Sequence, residues 1–203
     1  MTYNLLYNNF KEWKEVAMGK GWAFGKKHDY ISRKQKGTSI FTKHGKEYLP
    51  LIFETIRMHD PKILIELGTH KGGLTLALNE EFSDLPIFSF DDRNLTMPCR
   101  NLFNEKVTFY IEDLLTGENR TLVDLMKSFS KEKIFLYCDN GNKPYEVVTY
   151  SKFLTVGDVI GCHDWFWEIH PEDVKEALVD FEWFNIEPWD LSGMLSRFWI
   201  KVK

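Results

Sequence analysis

From Lys62 onward the chain alternates short apolar runs with stretches whose apolar residues recur at helical spacing. The runs are KILIEL (62–67), PIFSF (86–90), VTFYI (107–111), KIFLYC (133–138) and DVIGCH (158–163). Each is nearly continuous in apolar, β-branched or aromatic residues, which reads as a strand. Between them lie GGLTLALNEEF, LVDLMKSF and YEVVTYSKFL, which read as helices. Strands that alternate with helices in this way build a parallel sheet covered on both faces, an α/β doubly wound architecture. Pro171 and the acidic residues after it predict a further helix over PEDVKEALVDF. The chain then closes with FEWFNIEPW, the turn DLSG and MLSRFWIKV. So short a connection demands an antiparallel pair, since a parallel one needs a long crossover.

At 203 residues the chain has room for one domain with a modest extension. We divide it into residues 1–44, an N-terminal helix and basic cap or lid, and 45–203, the α/β domain. Lys20 to Lys46 carry eight basic residues against one acid, Asp29, a local balance of +7. The segment is either a solvated loop or a lid that attracts an anionic substrate. The whole chain carries a net charge of −4, which argues against general nucleic-acid binding through phosphate neutralisation. Cys99, Cys138 and Cys162 lack CxxC spacing, and the last two fall inside apolar runs, so they read as small hydrophobes in a reducing compartment. The N-terminus lacks the apolar core of a secretory signal and no run approaches membrane-spanning length, which points to a soluble, cytoplasmic protein. An apolar closing hairpin at a sheet edge offers a place for homo-oligomer contacts.

The first strand runs through Glu66 and Leu67 into Gly68-Thr69-His70-Lys71-Gly72-Gly73 and then a helix. A glycine turn opening a helix lets backbone amides approach a ligand at the helix N-terminus, although such glycines also serve tight packing alone. The spacing is Gly-x-x-x-Gly-Gly and not the Gly-x-Gly-x-x-Gly of dinucleotide binding, which disfavours a nicotinamide cofactor. The second strand ends in Asp91-Asp92, where an acid can hold the two ribose hydroxyls of an adenosine cofactor or cap the next helix. The third ends in Glu112-Asp113, beside where an adenine would sit. His70 reads as a bystander positioned by the backbone.

Glu66-x-Gly68-x-x-x-Gly72, Asp91, Asp113, Asp139 after strand four and a terminal antiparallel hairpin together resemble a class I S-adenosylmethionine-dependent methyltransferase. The resemblance implies a seven-stranded sheet of order 3-2-1-4-5-7-6 with strand seven antiparallel. It implies S-adenosylmethionine as cofactor, with Glu66, Gly68, Thr69 and Gly72 around its methionine part. Within that superfamily, Tyr137-Cys138-Asp139-Asn140-Gly141-Asn142-Lys143-Pro144-Tyr145-Glu146 and Gly157 to Trp165 are similar to the cephalosporin hydroxylase-like and macrolide sugar O-methyltransferase group. That likeness implies a divalent cation held by Asp139 and an acidic pair after strand five. Here the pair is His163-Asp164, and the usual histidine of the strand-four loop is replaced by Asn142 or Lys143.

Asp139 and Asp164 follow neighbouring strands and open into one crevice, so they could hold Mg2+, with an Asn oxygen and waters completing its shell. His163 is then a ligand or general base, and Lys143 orients an acceptor oxygen or pairs with Asp139. The plain alternative is that both acids cap helices and His163 is structural. Trp165, Phe166 and Trp167 read as anchors for the next helix ahead of a stacking surface for a ring acceptor. Trp183, Phe184, Trp189, Phe198 and Trp199 read as core or interface. The functional reading is O-methylation of a small-molecule hydroxyl, on a sugar or an anionic metabolite. The alternatives are a non-catalytic accessory protein that keeps the cofactor fold and, less favoured, a nicotinamide oxidoreductase.

Overall fold

The structure, a computed structural model, describes residues 15, 18–20, 22–24, 31–35, 38–42, 48–184 and 196–203. Three short strands come first: β1 (Trp22–Phe24), β2 (Ile31–Gln35) and β3 (Thr38–Thr42), an antiparallel meander in the basic segment. The sequence pattern suggests a loop or cap there, so the strands are a difference from it; the expected N-terminal helix falls mostly outside the described residues.

The α/β domain begins with α1 (Tyr48–His59) and continues β4 (Ile63–Leu67), α2 (Gly73–Glu81), β5 (Ile87–Asp91) and β6 (Val107–Ile111). It then runs α3 (Arg120–Ser128), β7 (Ile134–Cys138), α4 (Lys143–Tyr150), β8 (Val159–Cys162), α5 (Pro171–Val174), β9 (Phe181–Trp183) and β10 (Arg197–Lys201). A short 3-10 helix, Met97–Leu102, sits between β5 and β6. The seven strands β4 to β10 form one sheet in the order β6-β5-β4-β7-β8-β10-β9. Counted within the sheet, this is 3-2-1-4-5-7-6, with β10 antiparallel to both of its neighbours.

Alternate residues of the central strands supply two cores. Leu64 and Phe135 face one side with Leu49, Ile52, Phe53 and Ile56 of α1. Ile65, Leu67 and Leu136 face the other with Leu122 and Met126 of α3 and Val147 of α4. That two-sided burial is the reason the strands read as continuous apolar runs. Asn119 starts α3 by accepting from the Leu122 amide, and Asn142 starts α4 by accepting from the Tyr145 amide. Cys99, Cys138 and Cys162 are free and buried, the last two as the apolar runs around them suggested.

One expectation needs correction. The helix over PEDVKEALVDF stops at Val174, and isolated turns carry the chain to β9. The helix is held by its start, where His170 and Asp173 form a reciprocal cap, and the chain must leave it to bring Phe181 into the sheet. The closing strands pair antiparallel, with Trp199 opposite Trp183, but the turn DLSG and Trp189 lie outside the described residues. No described helix is long and apolar enough to cross a membrane.

Candidate active site

Strand order reverses at β4, whose neighbours β5 and β7 leave it in opposite directions, and open α/β sheets bind ligands in the crevice beyond the C-terminal strand ends at such a point. The glycine turn forms one wall. Gly68 has φ of 101°, and a Cβ on it would lie 2.4 Å from the Asp139 carbonyl oxygen and 2.7 Å from the Asn140 nitrogen. Only a glycine lets the turn after β4 lie against the loop after β7. The Asp139 amide donates to the Leu67 carbonyl at 2.8 Å and fixes that approach.

Behind the turn lies a buried polar network. Glu66 accepts from the hydroxyls of Thr75 and Ser89, and Thr69 shares a hydrogen bond of 2.6 Å with Ser89. Burial pushes the Glu66 carboxyl up to about 7 against those two hydrogen bonds. Glu66 and Thr69 therefore brace the turn from below. Asp91 is also buried, and its two oxygens accept from the His70 amide at 2.6 Å and the Arg93 amide at 2.9 Å. The bond to His70 holds that residue at φ of 47°, a conformation unusual for a side chain with a Cβ. Asp91 thus ties the tip of β5 to the glycine turn, while Asp92 pairs with Arg93 at the surface. Asp113 accepts from the Leu115 amide, and Glu112 accepts from the Asn119 side chain.

The other wall carries a charged cluster. Lys143, the first residue of α4, turns back over the end of β7, and its Nζ lies 3.5 Å from Asp139 Oδ1, 3.0 Å from Asp164 Oδ2 and 2.6 Å from Glu168 Oε2. His163 Nδ1 lies 3.4 Å from Asp139 Oδ1 and 3.3 Å from Asp164 Oδ1. Residues 139 and 164, distant in sequence, converge because β7 and β8 are adjacent, with Cys138 opposite Cys162. Burial opposes the charged form of His163, but the hydrogen bonds to Asp139 and Asp164 outweigh it and lift its pKa to about 9. Burial likewise opposes the charge on Lys143, and Asp139, Glu168 and Asp164 outweigh it. The hydrogen bond from His163 holds the Asp164 carboxyl down at about 2. Asp164 itself has φ of 58°, which short polar side chains tolerate best.

One oxygen or nitrogen each from Asp139, His163 and Asp164 fall within 4.8 Å of one another, a grouping that could hold a metal ion. The donor set fits a divalent cation poorly. The Lys143 ammonium already lies among the same carboxylates, and His163 presents to them the ring nitrogen through which it would otherwise ligate. Asn142, whose oxygen was expected to complete the shell, spends it on capping α4.

Two contributors carry no strong signal in the sequence. Glu168 supplies the third carboxylate on Lys143; its spacing of four from Asp164 was the available signal. Glu146 is fully buried and accepts from the Asn140 and Asn142 amides at 3.3 Å, which shapes the loop that carries Asp139. Burial pushes its carboxyl up to about 7 against those bonds. Of the aromatic trio, Trp165 is buried and packs against Trp199 and Trp183 as an anchor. Phe166 and Trp167 are not anchors: they are 54% and 77% exposed, because the tight turn that begins at Asp164 points them outward. In the closing strands Phe198 and Trp199 are core, whereas Trp183 is mostly exposed.

No protein-family model and no curated protein sequence matches the chain. Solved structures do. A structure titled as the apo form of CmcI-N160 aligns with 84% of this chain and 76% of its own at a TM-score of 0.62 and 12% identity. CmcI-D160 with Mg and S-adenosylmethionine gives 0.58 and 13% over the same shares. The Podospora anserina methyltransferase PaMTH1 with bound S-adenosylhomocysteine gives 0.51 and 15%, over 78% of this chain and 80% of its own. The chain shares the Rossmann-like fold of these structures, with the strand order that the family resemblance implied.

Proposed function

We propose that this chain is an S-adenosylmethionine-dependent methyltransferase that transfers a methyl group to a hydroxyl of a small molecule. The observation that carries this reading is the contact between the two walls of the crevice. The glycine turn at Gly68 abuts Asp139, so a cofactor on the turn and an acceptor on the Asp139–Lys143–His163–Asp164 cluster would lie side by side. The fold neighbours include structures titled with S-adenosylmethionine and S-adenosylhomocysteine, which supports that cofactor for the turn.

In this reading Gly68, Thr69 and Gly72 flank the methionine part, braced by Glu66. Asp91 faces the ribose while it holds the His70 amide, and Asp113 borders the adenine. Lys143 donates to the acceptor oxygen. S-adenosylmethionine, when bound, would supply an electrophilic methyl on its sulfonium and would leave as a neutral thioether once the acceptor oxygen has taken that methyl. The hydroxyl proton passes to Asp139, which His163 holds in place. The acceptor end is polar, with the exposed rings of Phe166 and Trp167 one turn beyond it, which suits a sugar or another ring-bearing metabolite. In the basic segment β3 packs against α2, the helix that follows the glycine turn, and against the 3-10 helix after β5, which supports the lid reading and an anionic acceptor.

A ligand that binds only the folded state stabilises it by about 2.7 kcal/mol at one hundred times its dissociation constant. S-adenosylhomocysteine is therefore expected to raise the Tm and NADH to leave it unchanged. The opposite pattern would favour the oxidoreductase reading.

A further inference from the structure

The charged cluster differs from a cation site in what stands at its centre. Asp139 and Asp164 approach within reach of a single ion, yet the group between them is the Nζ of Lys143, at 3.5 and 3.0 Å, with Glu168 closing a third side at 2.6 Å. Mg2+ bonds oxygen at about 2.1 Å and keeps an octahedral shell. An ion drawn in by both carboxylates would therefore press against a buried ammonium of the same sign. Lys143 has little freedom to withdraw. It is 5% exposed, its backbone begins α4, and Pro144 follows it directly. The remaining oxygen expected of such a shell, on Asn142, is held by the Tyr145 amide at 3.1 Å.

We infer that the Lys143 ammonium takes the place of a divalent cation, so that the acceptor hydroxyl is bound by a tethered lysine and the site works without a metal ion. The inference rests on the methyl-transfer reading for the identity of the acceptor, but the cation substitution itself can be read directly. Three carboxylates face the Lys143 ammonium and the His163 ring lies against two of them, so the cluster already holds a cation of its own. A single positive charge with directional N–H groups selects a hydroxyl that accepts one hydrogen bond. It gives no advantage to a catechol-like pair of oxygens, which a dication would chelate.

Mn2+ is the probe, followed by its paramagnetic resonance signal, with S-adenosylhomocysteine binding measured in parallel on each protein. The wild-type chain should leave millimolar Mn2+ free, with or without S-adenosylhomocysteine. Lys143→Met should gain one Mn2+ site at least tenfold tighter than any wild-type binding, and adding Asp139→Asn should abolish it. Lys143→Gln serves if the Met variant does not fold. One Mn2+ bound by wild type and lost in Asp139→Asn would overturn the inference. So would a folded Lys143 variant as silent as wild type. Absence of S-adenosylhomocysteine binding by wild type, with the Mn2+ pattern as expected, would sink the methyltransferase reading and leave the cation substitution standing.

Discussion

Gly68→Ala tests whether the contact between the two walls is structural in the way the geometry requires. The new methyl would sit 2.4 Å from the Asp139 carbonyl oxygen and 2.5 Å from its carbon, at a backbone φ of 101°. Neither neighbour is the end of a flexible side chain, so the loop after β7 must move by about 1 Å to restore a normal contact. Three costs add. The left-handed backbone costs about 1 to 3 kcal/mol for a residue with a Cβ. Overpacking costs about 1 to 3 kcal/mol. Strain or loss of the 2.8 Å bond from the Asp139 amide to Leu67 costs about 1 kcal/mol. The sum is about 3 to 7 kcal/mol, a large part of a typical domain's stability. Gly157 is the internal control: its φ is 95°, but a Cβ there meets nothing within 4 Å, so Gly157→Ala should cost the backbone share alone. Urea denaturation of both variants reads the difference. S-adenosylhomocysteine binding reads whether moving Asp139 disturbs the crevice. A Gly68→Ala variant no less stable than Gly157→Ala, with unchanged ligand affinity, would refute the reasoning.

Glu66 ties stability to pH. Its folded pKa of about 7 lies above the ordinary 4.5, so the folded state takes up the proton first. The resulting stabilisation is present below about pH 4.5 and is lost as pH rises through 7, by about 3 kcal/mol at 1.36 per unit. Glu66→Gln should flatten that slope in denaturation curves taken from pH 4 to 8; a slope unchanged in the variant would assign it elsewhere, Glu146 being the nearest candidate. Trp165→Ala should cost about 3 to 5 kcal/mol because the ring is buried against two other tryptophans. Trp167→Ala should stay within about 0.5 kcal/mol, and thermal melts of the pair distinguish anchor from exposed ring. Asp158→Ala should cost about 2 to 4 kcal/mol by chemical denaturation. It removes the acceptor for the Ile134 amide at 2.8 Å and the Thr155 amide at 2.6 Å, leaving a buried donor without its partner.

Strand positions were legible to within about a residue because burial on both faces writes itself as an unbroken apolar run, as KIFLYC became Ile134–Cys138. The meeting of Asp139 with Asp164 was legible too, since adjacent parallel strands bring their ends together. What the carboxylates do was less so. Asp91 is at the expected strand tip, but its tie to the His70 amide depends on how far the glycine turn folds back, which spacing alone does not encode. The helix expected after Pro171 had a sound start signal and no stop signal, because its end is set by pairing between β9 and β10. Phe166 and Trp167 looked like anchors by composition, and their exposure comes from a turn that begins at a left-handed Asp164. Lys143 was visible as a partner for Asp139. Its place among three carboxylates, Glu168 included, needed the loop after β8.

The most direct test of the central claim is a calorimetric titration of S-adenosylhomocysteine into the wild-type chain and into Asp91→Ala. One site of micromolar affinity is expected in the wild type, weakened at least tenfold in the variant. A wild-type chain that binds neither S-adenosylhomocysteine nor S-adenosylmethionine would contradict that claim.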